Sequence, residues 1–127
     1  MNAAKLTALV LSGATVLAVA PAQAGTPTLA RRPQKKTVQV LDNYYSPRKL
    51  TVNLNSTITW KWPDDTGDVH DVKLVSGPKG YKKFQSEPAA AGYTFKRKLT
   101  KPGVYKLLCT FHEADGMRMT ITVRQAG

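Results

Sequence analysis

The stretch that decides the fold runs from Val104 to Val123: V-Y-K-L-L-C-T-F-H-E-A-D-G-M-R-M-T-I-T-V. Two β-like runs, Val104–Leu108 and Arg118–Val123, flank a loop carrying Cys109, His112 and Met117. Cys109 is the only cysteine of the chain and His112 one of its 2 histidines. A thiolate, an imidazole and a thioether so close together form a soft donor set, which selects copper or zinc over magnesium or calcium.

Working outward, the 127 residues suffice for one domain. Residues 1–24 have the layout of a secretory signal peptide. Lys5 opens it, Leu6–Ala20 is largely apolar, and Ala22-Gln23-Ala24 is a small-x-small cleavage site. The apolar run is shorter than the roughly 20 residues of a spanning helix, and Gly25 rather than a cysteine follows the cut, so neither a membrane anchor nor a lipid anchor is expected. The mature protein is therefore expected to be secreted or periplasmic. In such a compartment an unpaired thiol is open to oxidation unless a metal holds it. A buried core cysteine is the plain alternative.

Without Lys5 the mature chain keeps 18 basic and 8 acidic residues, a net charge of +10. That favours a soluble monomer drawn to anionic surfaces. No nucleic-acid partner is expected, because the bases are not interleaved with aromatics in any reading motif. The acids carry more information. Asp64, Asp65, Asp68, Asp71, Glu113 and Asp115 all lie within six residues of a histidine, whereas the bases gather at 31–36, 79–83 and 96–101. Should the histidines meet, the molecule has an acidic pole on a basic body; taken singly, these are ordinary loop residues.

Residues 25–36 read as a disordered basic linker, either in contact with an anionic envelope surface or simply solvated. From Thr37 the chain alternates with period two. Val38 and Val40 share a side, as do Leu50, Val52 and Leu54, and then Ile58, Trp60 and Trp62. Turns are expected at Asp42–Pro47 and after Asn53, a loop at Pro63–Val69, a strand at His70–Val75, and an irregular connection over Ser76–Gly92. The Tyr93–Leu99 run alternates without a clean apolar face. Seven to eight short strands separated by turns predict an all-β, two-sheet sandwich over residues 37–125. With a single cysteine and about 90 residues, a bound metal would be a useful staple.

Two imidazoles and a thiolate in a trigonal plane, with a weak axial methionine, form the donor set of blue-copper electron-transfer sites. Three of the four donors sit on the 109–117 loop, and His70 lies 39 residues upstream of Cys109.

These residues resemble the cupredoxins, with plastocyanin-like spacing in the ligand loop. Cys109, His112 and Met117 stand as C-x2-H-x4-M, and His70-Asp71-Val72 is similar to the H-N-V of many members. The S-P-R-K-L-T-V segment at Ser46–Val52, the T-I-T-W strand at Thr57–Trp60 and the P-G-V-Y-K-L-L-C run at Pro102–Cys109 extend the resemblance over most of Val38–Val123. It implies a Greek-key β-sandwich with one type 1 copper ion cycling between Cu(I) and Cu(II). His70, Cys109 and His112 would be the strong ligands, Met117 the axial one, and His112 the electron port. The implied activity is one-electron transfer between redox partner proteins, without catalysis.

Two positions depart from the family pattern. Asp71 stands where asparagine is usual, retaining an acceptor but adding a negative charge near copper. Met119 stands where many relatives have glycine; it is a rival sulfur, expected to face away from Met117. A copper carrier or scavenger with the same fold and site is the rival function, and a metal-free adhesion module a third. Multicopper, binuclear and Cys–His nucleophilic centres lack the necessary residues.

Overall fold

The computed structural model describes residues 13–22, 31–65 and 67–127. Of the expected signal peptide and linker, residues 1–12 and 23–30 lie outside the described residues; 13–22 are exposed and without regular secondary structure. No helix among the described residues is long and apolar enough to cross a membrane.

The described residues form eight strands: β1 (Lys35–Leu41), β2 (Tyr44–Ser46), β3 (Lys49–Asn53), β4 (Thr57–Lys61), β5 (Lys73–Ser76), β6 (Thr94–Lys98), β7 (Gly103–Leu108) and β8 (Arg118–Arg124). They make two four-stranded sheets, ordered β2-β1-β4-β6 and β3-β8-β7-β5. This is the expected all-β sandwich. The pairs β1–β4, in the first sheet, and β3–β8, in the second, are parallel.

Alternation explains which side chains fill the space between the sheets. Val38 and Val40 of β1, Ile58 and Trp60 of β4, and Ile121 and Val123 of β8 are buried, while their neighbours along each strand are half-buried or exposed. The unclear face of β6 has a physical answer. Phe95 and Leu99 point inward, and the guanidinium of Arg97 on the same side lies 4.2 Å from the Phe95 ring centroid and 5.3 Å from that of Phe84. A cation over a ring face is attracted by its quadrupole, so arginine is accommodated on a largely apolar side.

Three boundaries differ from the sequence expectation. The first strand begins at Lys35, pairing with Thr57, so the sheet takes in the last residues of the expected linker; Gln34 adds a bond from its amide to the Ser56 hydroxyl at 2.8 Å. The Asp42–Pro47 turn contains β2, a three-residue strand pinned to β1 through Tyr45, which is fully buried. His70 heads no continuous strand. It forms an isolated bridge with Ala89, and β5 starts only at Lys73, because the Ser86 hydroxyl accepts the Val72 amide.

Because β1 and β4 are parallel, Asp42 after β1 and the loop after β4 leave the sandwich at the same end. His70 and the 109–117 loop meet there.

Candidate metal centre

The ligand loop is a rigid hairpin tip. The antiparallel β7–β8 pair closes with Leu108 opposite Arg118. One step further, the Cys109 amide donates to the Met117 carbonyl at 3.0 Å and the Met117 amide to the His112 carbonyl at 3.1 Å. Within the loop, the Asp115 and Gly116 amides donate to the His112 and Glu113 carbonyls. Gly116 has φ 76°, a left-handed conformation that glycine adopts without steric cost. Cys109 and Met117 are fully buried; the His112 side chain is 16% exposed.

His70 is held from both flanks. Its amide and carbonyl exchange hydrogen bonds with Ala89 at 2.9 and 3.0 Å, and its carbonyl also accepts the Trp62 indole hydrogen at 3.3 Å. The ring is fully buried.

The three donors converge. His70 Nδ1 lies 3.1 Å from His112 Nδ1, and Cys109 Sγ lies 3.9 Å and 3.7 Å from these two nitrogens. The point equidistant from the three atoms lies in their plane at about 2.1 Å from each, close to ordinary metal–imidazole and metal–thiolate bond lengths. Such a contact needs a positive partner between the nitrogens, either a hydrogen on one ring or a cation bound by both. The trio therefore fits one metal ion in trigonal coordination. Burial pushes the Cys109 thiol above its ordinary pKa, while the amide hydrogens of Asp71, Phe111 and His112 pull it the other way.

Asp71 ties the two ligand segments together. Its Oδ1 accepts the Thr110 amide at 2.7 Å, and its Oδ2 accepts both the Thr110 hydroxyl at 2.6 Å and the Gln85 side-chain amide at 2.8 Å. Three donors around one carboxylate explain how aspartate occupies a position where the family pattern has asparagine. The Tyr45 hydroxyl closes the same region by donating to the Asp71 carbonyl at 2.6 Å.

Met117 and Met119 need a correction. Residues two apart along an extended chain share a face, and both methionines are buried. Their surroundings separate them. The Met119 sulfur accepts the Trp60 indole hydrogen at 3.3 Å in the core, whereas Met117 lies in the loop that carries Cys109 and His112.

Four participants escaped sequence reasoning: Asp42, Gln85, Thr110 and the Ser86 hydroxyl. Asp42 Oδ1 is 2.9 Å from His70 Nε2 and 3.3 Å from the Asp68 amide, and its Oδ2 is 3.4 Å from the Gly67 amide. The His70 bond is the main cause holding the Asp42 carboxyl below its ordinary pKa. Asp68 Oδ2 lies 3.7 Å from His112 Nε2. Asp42 and Asp68 thus stand against the two histidines, whereas of the other expected acids Asp71 is buried under Thr110 and Gln85 and Glu113 pairs with Arg118 at 2.8 Å. On the flank, Lys82, Lys83, Arg97, Lys98 and Lys101 line one shallow cleft. Beside His112, Phe111 is 54% and Val69 42% exposed.

A two-sheet sandwich with a largely buried His–Cys–His triangle at one end is the arrangement of the cupredoxin class. The sequence profile of the copper binding proteins, plastocyanin/azurin family, matches residues 34–124, and the chain belongs to that family. Copper is accordingly the metal the triangle fits. A halocyanin from Natronomonas pharaonis is 34% identical over 80 residues, covering 62% of this chain and 47% of the relative, so the chain spans about half of that protein's length. In structure, a pseudoazurin from Sinorhizobium meliltoi is similar with a TM-score of 0.60 at 23% identity, over 74% of this chain and 76% of that one, a likeness of fold. A Cu-containing nitrite reductase from Thermus scotoductus SA-01 gives a TM-score of 0.61 at 25% identity, over 73% of this chain but 23% of the enzyme.

Proposed function

We propose that the protein is an extracytoplasmic one-electron carrier with one type 1 copper ion held by His70, Cys109 and His112, with Met117 as the weak axial donor. The observation that carries this reading is the donor triangle, whose centre suits metal bonds to two imidazoles and a thiolate at once. Copper supplies a Cu(I)/Cu(II) couple. The chain's own contribution is rigidity. Cys109 is held by the end of the β7–β8 ladder, His70 by its bridge to Ala89, and the two are locked to one another through Asp71 and Thr110. Donors that stay in place when the charge changes keep reorganisation small. His112 is the least buried of the three; its chain neighbour Phe111 and Val69, the chain neighbour of His70, are exposed apolar side chains against which a redox partner protein can exclude water.

The test is a titration of the mature protein with Cu(II), followed by visible spectroscopy. An intense blue thiolate charge-transfer band that bleaches on reduction is expected. Retention of that band in Cys109→Ser would refute the assignment. The rival function, delivery of copper to a partner, predicts rapid loss of the ion to a competing chelator. Full burial of Cys109 and His70 favours slow loss.

A further inference from the structure

The two histidines of the triangle are not equivalent, and the difference lies on their far sides. Both direct Nδ1 at the same point, so both need the tautomer that carries its hydrogen on Nε2. For His112 the nearest carboxylate to Nε2 is Asp68 at 3.7 Å, outside hydrogen-bond range. For His70 it is Asp42 at 2.9 Å, an ordinary hydrogen-bond length. The carboxylate is itself fixed. It accepts from the Asp68 and Gly67 amides and sits in a turn whose next residue, Asn43, has φ 66°. Asp42 therefore ties the end of β1 to the loop after β4, at the Gly67 and Asp68 amides and at the buried His70 imidazole two residues further on.

We propose that Asp42 is a positioning residue of the metal centre. Its carboxylate selects the Nε2–H tautomer of His70, keeps Nδ1 aimed into the donor triangle, and biases the site toward the more highly charged copper state. This rests on the copper-carrier reading above.

The physical chain is short. A carboxylate behind a ligating imidazole fixes the ring's orientation and tautomer and raises its basicity, and loss of such a partner changes metal affinity by about 10–100-fold. A more basic imidazole gains more from Cu(II) than from Cu(I). The Asp42 side chain is half exposed, so solvent weakens the through-space part of its charge, and the direct bond to Nε2–H carries the larger share. On its other side the ring meets His112 Nδ1 at 3.1 Å and Cys109 Sγ at 3.9 Å, so in the metal-free protein Asp42, at 2.9 Å, competes with these for the ring hydrogen.

Two measurements on the mature chain decide the matter. In the metal-free protein, the 15N shifts of the His70 ring should show hydrogen on Nε2, and Asp42→Ala should give a mixture of tautomers. In the copper-loaded protein, Asp42→Asn preserves an acceptor but removes the charge. It should lower the preference for Cu(II) over Cu(I) about tenfold, a rise of about 59 mV in the one-electron potential. Asp68→Asn removes a charge from the same pole without a bond to His70, and should shift the potential by less than a third of that. The proposal is overturned by a His70 already protonated on Nδ1, by a tautomer indifferent to Asp42→Ala, by an unmoved potential in Asp42→Asn, or by an equal shift in Asp68→Asn. A wild-type protein without a blue band would instead sink the copper-carrier assignment, and the tautomer measurement would still decide whether Asp42 positions His70.

Discussion

Asp71 grips Thr110 twice, through its amide at 2.7 Å and its hydroxyl at 2.6 Å. Asp71 follows His70 and Thr110 follows Cys109, so this pair fastens two ligand-bearing segments 39 residues apart. With asparagine, one of the two acceptor oxygens becomes an NH2 group facing the hydroxyl of Thr110 or the side-chain amide of Gln85.

Asp71→Asn should therefore do two things. It should destabilise the apoprotein by about 0.5–1.5 kcal/mol, because a part-buried hydrogen bond to the carboxylate is lost while Thr110 and Gln85, both exposed residues, stay within reach of water. It should also raise the copper potential, because a negative charge next to a ligand is removed. Denaturant titration and voltammetry measure the two effects separately. An unchanged or lower potential would remove Asp71 from the factors that set it.

The methionines give a paired test. Met119→Leu conserves volume but leaves the buried Trp60 indole hydrogen without the sulfur it now meets at 3.3 Å. A loss of about 1–2 kcal/mol is expected, with the visible spectrum of the copper form intact. Met117→Leu should shift both spectrum and potential, since an axial donor tunes a type 1 site. The reverse pattern would make Met119 the axial donor.

Period-two alternation carried the strands whose inner faces are continuous, β1, β3, β4, β7 and β8. β2 was not legible, because it has three residues and one buried side chain, Tyr45, and exists only by pairing with β1. The donor set was legible from rare residue types, a single cysteine and two histidines in a recognisable spacing. Asp42 was not. An aspartate in a turn is ordinary, and its contact with His70 spans 28 residues and depends on β1 and β4 ending together. Gln85 lies in a segment without periodicity and gains meaning only from where Asp71 stands.

Two buried tyrosines predict the alkaline limit of the fold. Burial pushes the Tyr105 hydroxyl up to about 12, and the Tyr45 hydroxyl is raised further by burial together with Cys109 and Asp71. Each is an acid whose folded pKa exceeds its unfolded value of about 10, so the unfolded chain releases the proton first. Stability is full below about pH 10 and falls as pH rises toward 12. Thermal denaturation of the apoprotein should trace that decline. Tyr105→Phe loses the bond to the Lys101 carbonyl, costing about 1 kcal/mol at neutral pH. It should then decline less steeply above pH 10; an equally steep loss would place the alkaline transition elsewhere.

Net charge and local charge make opposite predictions for docking. The chain carries +11, which at long range repels cations. Around the donor triangle, however, Asp42 and Asp68 touch or approach the two histidines, and Asp115 is exposed on the ligand loop. At physiological salt the Debye length is about 8 Å, so a reagent arriving at His112 feels first the acids that stand against the two histidines. Oxidation of the reduced copper form by a cationic complex such as tris(phenanthroline)cobalt(III) should therefore slow as salt is added. Oxidation by ferricyanide should hold steady or accelerate. Asp42→Asn combined with Asp68→Asn should flatten the first dependence, whereas reversing charges in the cleft at Lys82 and Lys98 should leave its sign unchanged. If the cationic reagent speeds up with salt in the wild type, net charge governs the encounter, and an acidic docking pole is excluded.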